Sequence, residues 1–287
     1  MNENCEFLPL YRDLMFKKFL GTNDYVFLTT YLLESLFNLT PGSLDGSTIT
    51  NSVTLDKETI KNKAFELDVV LKTPDGVIYD IEMQNTYNSN SEVKNVMYVA
   101  KLFANELSSG DTYDLVKPVK LINLVKNLTI HKTGEIINKY VMTNTKYPED
   151  RILEDYFSIY IISLDTDKGI SYNEDNEFEI IRRFIGAETY EDMEDIINKS
   201  NRKLSTKLLE EMVSFMNNKE VQDYSREEKL IETNLKTAKE EGILEGATNK
   251  QLEIAKKMLQ ANKSLEEISL FTGLSIRELE ELKKEDL

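Results

Sequence analysis

Residues 65–84 read FELDVVLKTPDGVIYDIEMQ and contain two β-like runs on either side of Pro74-Asp75-Gly76. Proline, aspartate and glycine in succession are typical of a tight turn, so the stretch predicts a β-hairpin. Side chains alternate along a strand, so one face of the second run carries Ile78, Asp80, Glu82 and Gln84. Asp68 joins that face if the register of the two runs allows it. The stretch therefore predicts a central hairpin with acids where strands are usually apolar or neutral.

Asp68 and Glu82 are the two acids of most interest, because they would lie on neighbouring strands of the hairpin. Two ionised carboxylates at short range repel each other, and a divalent cation that binds both removes the repulsion. Carboxylate oxygens favour Mg²⁺ or Mn²⁺, and such an ion can activate water and stabilise charge on a phosphate. Two solvated acids on an exposed sheet face are the alternative, and spacing alone does not separate these interpretations.

The composition narrows the classes of chemistry. The 287 residues are 40% hydrophobic and 30% charged, which is typical of a soluble globular protein with a sizeable core. The chain has only one cysteine, Cys5, and one histidine, His131. These counts exclude an intramolecular disulfide, catalysis by paired histidines and zinc sites of the Cys/His kind. The sequence contains no run of 18 apolar residues and so predicts no membrane span. We expect a cytoplasmic protein. The net charge of −16 argues against broad electrostatic attraction to nucleic acid.

The order of the patterns predicts an α/β core followed by helices. Helical spacing is present over 10–20, 25–37 and 88–108, the last with Gly110 as its C-cap, and strand-like runs lie at 47–55, 119–125, 135–142 and 153–164. From Asn176 onward the apolar stripes are helical. We therefore predict a core over 1–170, a helical extension packed on it over 171–218, a charged helical linker over 219–249, and a small tail over 250–287.

The tail has two interpretations. Ser264 and Glu267 have capping-box spacing, and Gly273 lies in a turn before a last helix, which together resemble a helix-turn-helix. Such a unit would place residues 275–284 in a DNA major groove, yet this segment is rich in glutamate and poorly suited to phosphate contact. A helical dimerisation or docking unit is the alternative, in which the C-terminal region joins copies of the chain into a homo-oligomer.

The hairpin also resembles part of a known group of enzymes. Asp68, the turn and Ile81-Glu82-Met83-Gln84 resemble the PD-(D/E)XK nuclease superfamily, and more narrowly its transposase-associated branch, the recombination-promoting nucleases. Supporting segments are Asp13-Leu14-Met15-Phe16-Lys17, the helix around Tyr98, Gly110-Asp111-Thr112-Tyr113, and the run from Lys117 to Ile122. The resemblance extends over about residues 8–165.

The resemblance implies a restriction-endonuclease-like α/β fold: a mixed central sheet flanked by helices, here with an all-α C-terminal extension. It also implies hydrolysis of DNA phosphodiester bonds with Mg²⁺ or Mn²⁺ as the cofactor. Carried over by position, Asp68 and Glu82 are metal ligands, and the backbone carbonyl of Met83 completes the metal shell.

Gln84 departs from the pattern of the superfamily, which has a lysine at this position. That lysine orients the attacking water and stabilises developing negative charge, whereas glutamine donates hydrogen bonds without charge. Either Gln84 positions the water, or Lys17 or Lys101 supplies the charge; solvated surface lysines are the alternative for both. Asp13 is a further candidate acid near the metal, with a helix cap or a surface acid as its alternative.

Two functions follow from these patterns. The first is a metal-dependent DNA endonuclease that promotes recombination or accompanies a mobile element, which the presence of Asp68 and Glu82 favours. The second is an inactive nuclease-like DNA-binding or scaffold protein that assembles through its helical tail. Gln84 and the acidic net charge favour this second hypothesis.

Overall fold

The computed structural model describes residues 7–50, 67–107, 110, 112–128, 135–151, 154, 156–165, 176–200 and 202–285. Within them lies a six-stranded sheet, whose strands are β1 (Thr48–Thr50), β2 (Val69–Lys72), β3 (Ile78–Gln84), β4 (Val119–Val125), β5 (Ile137–Val141) and β6 (Phe157–Ser163). Their order is β1-β2-β3-β4-β6-β5. β3, β4 and β6 pair in parallel, whereas β1–β2, β2–β3 and β5–β6 pair antiparallel. The predicted mixed central sheet is confirmed.

The predicted hairpin is also confirmed. β2 and β3 pair antiparallel with Val69 opposite Ile81 and Lys72 opposite Ile78. The turn between them closes through the Thr73 N–H, which donates to the Val77 carbonyl at 3.0 Å. Gly76 has a φ of +93°, a backbone conformation that an L side chain rarely adopts. The turn chemistry therefore fixes the register that brings Asp68 to the end of the strand opposite Glu82.

Helices flank the sheet in the first part of the chain, and further helices follow up to residue 285. They are α1 (Asp13–Leu20), α2 (Val26–Leu36), α3 (Ser89–Ala104), α4 (Glu177–Gly186), α5 (Tyr190–Lys199), α6 (Arg202–Met216), α7 (Lys219–Gln260), α8 (Leu265–Thr272) and α9 (Ile276–Glu285). α3 begins at a capping box in which Asn88 and Ser91 exchange side-chain to backbone hydrogen bonds. The structure has no helix among its described residues with the length and apolar character that a bilayer span requires.

The two faces of the sheet bury different partners. On one face Val69, Ile81, Ile122 and Ile162 pack with residues of α1, α2 and α4–α6. On the other face the sheet packs against α3; its apolar contributors are Val70, Ile78, Val119, Leu121, Val125, Ile159 and Ile161, and those of α3 are Tyr98, Val99 and Leu102. Because side chains alternate along a strand, Asp80 and Glu82 lie on the same face as Ile78, towards α3. Two acids are thus enclosed in a layer that is otherwise largely apolar.

The chain divides into two compact units, residues 1–222 and 223–287. In the second unit Ala255, Ile268, Leu274, Leu279 and Leu282 form a small core of their own. Ser264 caps α8 by accepting a hydrogen bond from the Glu267 N–H, and Gly273, with a φ of +74°, ends it. The tail therefore has the helix, glycine turn and helix that the sequence predicted.

Several element bounds differ from the prediction. The strand predicted at 47–55 is described only over Thr48–Thr50, because residues 51–66 lie outside the described residues, as does His131. The prediction that Gly110 caps α3 is wrong. The helix ends at Ala104, where the Asn105 N–H bonds to the carbonyls of Lys101 and Leu102 and tightens the last turn. β6 begins at Phe157 rather than at residue 153.

Candidate active site

The antiparallel pairing of β2 with β3 places Asp68 beside Glu82. The backbone N–H of Asp68 donates to Glu82 Oε1 at 3.1 Å, and the N–H of Met83 donates to Asp68 Oδ2 at 2.8 Å. Each carboxylate is therefore held by the backbone of the opposite strand. Since backbone atoms make these contacts, the fold itself sets the position of both acids.

Burial makes this acid pair costly to ionise. The side chain of Glu82 is fully buried, and that of Asp68 is 8% exposed. Burial, followed by the charge of Asp68, raises the pKa of Glu82 from its ordinary 4.5 to about 7, although Lys94 acts in the opposite direction. Burial also raises the pKa of Asp68, against the hydrogen bond from Met83 and the charge of Lys17. Nearby positive charge is what stabilises the ionised pair.

Two lysines supply such charge, one from a helix on each face of the sheet. Lys17 of α1 lies 3.2 Å from Asp68 Oδ1, and Lys94 of α3 donates to Glu82 Oε2 at 2.8 Å. Burial would lower the pKa of Lys17, but the carboxylates of Asp68 and Asp13 raise it above its usual value. The pKa of Lys94 is likewise raised by Glu82 against the effect of burial. Both lysines are therefore fully protonated at neutral pH.

Asp13 lies at the outer side of this cluster. Its carboxylate is 3.3 Å from the Lys17 ammonium, one turn away on α1, and its side chain is 67% exposed. The structure thus brings Asp13 to the site through Lys17 rather than through a contact with Asp68 or Glu82. Asp13 therefore forms an ion pair with the same ammonium group, that of Lys17, which neutralises Asp68.

Gln84 and Met83 complete the residues that the sequence singled out. The Gln84 side-chain oxygen is buried and has no hydrogen-bond partner among the described residues. Met83 packs its side chain into the core on the opposite face of the sheet, so only its backbone faces Asp68. The carbonyl of Met83 as a metal ligand stays a prediction.

Asp80 is a third acid near the pair. Its side chain is fully buried, and neither carboxylate oxygen has a hydrogen-bond partner within the described part of the chain. Burial, and then the charges of Glu82 and Asp68, raise its pKa well above the ordinary value. Because an unpaired buried charge is strongly unfavourable, these surroundings favour the neutral carboxylic acid form of Asp80.

A row of amides continues from Glu82 across the sheet. Asn123 of β4 pairs with Glu82 in the parallel register, and its side-chain amide donates to the Asn95 side-chain oxygen at 2.9 Å. Asn95 in turn donates to the Tyr87 hydroxyl at 3.3 Å. Each of the three residues is buried. The polar layer beneath α3 is therefore larger than the acid pair alone.

Sequence reasoning missed Lys94, Asp80 and the Asn95–Asn123 pair. Asp80 carried a visible signal, because it lies two residues before Glu82 in a strand and shares its face. Asn123 interrupts an otherwise apolar run in β4. Lys94 had no comparable signal, because its role depends on how α3 lies across the sheet. Lys101, the candidate chosen from the sequence, lies about two turns further along α3.

Comparison with protein families identifies the group. A family model described as PD-(D/E)XK nuclease family transposase matches residues 10–241 of the 287-residue chain. The chain belongs to this family. Comparisons with curated proteins and with solved structures gave no significant match. Membership confirms the resemblance drawn from the hairpin, and the mixed sheet with flanking helices is a restriction-endonuclease-like α/β fold.

The oxygen atoms of the site fit a divalent cation of the kind that PD-(D/E)XK nucleases use. Among the described residues, no three or more His, Cys, Asp or Glu side chains are grouped to hold a metal. Mg²⁺, however, usually takes only one or two carboxylates and completes its shell with waters and substrate phosphates. Asp68 and Glu82 supply those two, and the buried side-chain oxygen of Gln84, on the same strand as Glu82, has no hydrogen-bond partner in the part of the chain that the structure describes. The donor set is therefore compatible with a divalent cation, which would take the place of the lysine ammonium groups on Asp68 Oδ1 and Glu82 Oε2.

The raised pKa of Glu82 predicts an unusual pH dependence of stability without metal. Since the folded protein holds a proton on Glu82 up to about pH 7 and the unfolded chain releases it near 4.5, stability falls as pH rises between these values. The loss is at most about 1.4 kcal/mol per pH unit for this group. We expect Glu82→Gln to remove it, so that the variant gains stability relative to wild type at pH 8 compared with pH 5.

Urea unfolding of both proteins in chelator, at several pH values, measures this difference. Glu149→Gln, at an exposed position, is the matched control. Parallel stability curves for wild type and Glu82→Gln across this pH range would contradict the assigned environment of Glu82.

Proposed function

We propose that this protein is a metal-dependent endonuclease that hydrolyses phosphodiester bonds in DNA and promotes recombination or accompanies a mobile element. The observation that carries the proposal is the buried pair Asp68–Glu82, held by backbone hydrogen bonds and flanked by two lysines. A purely structural role is a poor explanation for this pair, because burying two carboxylates together destabilises a fold. Membership in a nuclease family supports the same conclusion.

Asp68 and Glu82 would hold Mg²⁺ or Mn²⁺. The cation would supply Lewis acidity toward the phosphodiester and offset the charge of the two carboxylates. The backbone N–H groups of Asp68 and Met83 fix the orientation of both acids before substrate binds. This preorganisation is the fold's own contribution to the chemistry.

Lys94 is our candidate for the work of the lysine that Gln84 replaces. Its ammonium lies at the acid pair, and its side chain is 36% exposed, so it can reach a phosphate from the side of α3. Protonated Lys94 would stabilise negative charge that develops on the phosphate. Gln84, with a buried oxygen that has no partner in the described residues, would accept a hydrogen bond from the attacking water and orient it. Lys17 would keep Asp68 ionised.

Neutralising either acid tests the proposal directly. We expect Asp68→Asn and Glu82→Gln to abolish Mg²⁺-dependent cleavage of plasmid DNA, because each change removes one of two carboxylate ligands. Asp114→Asn and Glu149→Gln, which change exposed acids, are matched controls and should cleave like wild type. Wild-type protein in chelator should be inactive. If folded wild-type protein fails to cleave with either Mg²⁺ or Mn²⁺, the inactive scaffold is the correct alternative.

Substitution of the lysines tests which of them replaces the missing charge. We expect Lys94→Met to reduce the rate of cleavage by about 10² to 10³, as is typical when one stabilising donor is removed. Lys94→Arg should restore part of the rate, because it retains the positive charge. Lys101→Met, two turns away on the same helix, should have little effect. If single-turnover rates fall more for Lys101→Met than for Lys94→Met, the assignment of Lys94 is wrong.

A further inference from the structure

A cavity of about 300 Å³ lies on the same side of the sheet as the acid pair, between α3 and strands β5 and β6. Ile159 and Ile161 of β6 and Val96 of α3 line it with aliphatic surface. Tyr87, which is buried, lines it from the segment that follows β3, and Tyr140, which is 43% exposed, lines it from β5. An apolar cavity with aromatic walls of this size is suited to a small flat ligand.

The polar groups of the cavity are few and have distinct positions. Asn95 is buried, and its side chain is already engaged with Tyr87 and Asn123. Glu92 is exposed, and its charge acts on both tyrosines: after burial, it is the next cause that raises the pKa of Tyr87 and of Tyr140. Glu92 lines the cavity together with both tyrosines and, being exposed, offers a hydrogen-bond acceptor at its mouth.

The register of the sheet places the cavity close to the acid pair. Glu82 on β3 pairs with Asn123 on β4, and Asn123 pairs with Ile161 on β6, which lines the cavity. Two strand spacings separate Glu82 from Ile161, or about 10 Å. The hydrogen-bonded pair Asn95–Asn123 lies between them. A nucleic-acid strand with a phosphate at the acid pair therefore has a base within reach of the cavity.

We propose that this cavity binds one nucleobase of the strand held at the acid pair, stacked against the exposed ring of Tyr140. Glu92 accepts a hydrogen bond from the exocyclic amino group of the base, so the cavity favours cytosine or adenine over thymine. Stacking on aromatic side chains and a hydrogen bond to the base edge are how proteins hold an unstacked base. The proposal rests on the proposed function, because the phosphate at the acid pair positions the base.

Glu92 also shows why a base fits better than a phosphate. A carboxylate at the mouth repels an anion but accepts hydrogen bonds from an amino group. The apolar walls from Ile159, Ile161 and Val96 likewise suit a ring and not a charged group. The acidic chain would thus bind its substrate partly through bases, which lessens its dependence on phosphate attraction.

The test measures binding of single-stranded oligonucleotides to the full chain at low salt with Ca²⁺ in place of Mg²⁺, so that a divalent cation can hold the phosphate at the acid pair while cleavage stays slow. The probes are fluorescein-labelled dC and dT 12-mers and an abasic 12-mer of the same backbone. We expect affinity to fall in the order dC, dT, abasic. Tyr140→Leu should weaken dC binding about tenfold and bring it close to abasic binding, whereas Tyr140→Phe keeps the ring and most of the affinity. Glu92→Gln should remove the preference for dC over dT.

Two controls locate the effect. Tyr113→Leu, which changes a tyrosine that is 87% exposed and does not line the cavity, should bind all three probes like wild type. Because the chain has no tryptophan, Tyr140→Trp places a single indole at the cavity, and its fluorescence should be quenched by dC but not by the abasic strand. Tyr140 is 43% exposed, so its substitution should leave the melting temperature little changed.

The outcomes separate this proposal from the proposed function. Equal affinity of wild type for dC and abasic strands, or a Tyr140→Leu variant that still prefers dC, overturns the base cavity and leaves the nuclease untouched. Plasmid cleavage with Mg²⁺ decides the nuclease independently. Loss of cleavage in the acid variants together with unselective strand binding would mean a nuclease without this cavity function.

Discussion

The hydrogen bonds that join Asp68 and Glu82 across the β2–β3 pair are the constraint on which the site depends. The backbone N–H of each strand binds the carboxylate of the other, so neither acid can move away without breaking a strand contact. Two carboxylates are therefore held together in a region where burial opposes their charge. Lys17 and Lys94 place positive charge beside the two acids and so offset this electrostatic cost. A bound divalent cation would do the same.

The face of the sheet that packs against α3 contains further buried polar groups that destabilise the fold. Asp80 lies one pleat from Glu82, fully buried, with a pKa raised well above the ordinary value. Asn123 and Asn95 extend the polar layer away from the acids through direct hydrogen bonds. Apolar side chains at these positions would give a more stable core. A preorganised site requires polar groups in a packed layer, so the proposed function would account for a sequence that stability alone does not favour.

The sequence alone predicted the hairpin and the position of the acids in it, but not the residues that contact them. Turn chemistry at Gly76 and the alternation in β3 are local properties, so they predicted the pairing and the face that Glu82 occupies. Lys94 and Asn123 reach the site through the placement of α3 and the parallel β3–β4 register, which are tertiary properties that no local pattern specifies. The same limit explains why Lys101 was selected from the same helix instead of Lys94.

Direct measurement of cation binding tests the central claim that Asp68 and Glu82 form one metal site. Isothermal titration of Mn²⁺ into the full chain at pH 8, repeated for Glu82→Gln and for the control Glu149→Gln, isolates the site without DNA. The account predicts one Mn²⁺ per chain in wild type and in the control, and loss of that binding in Glu82→Gln. Unchanged binding in Glu82→Gln, or no binding of Mn²⁺ by wild type at millimolar concentration, would contradict it.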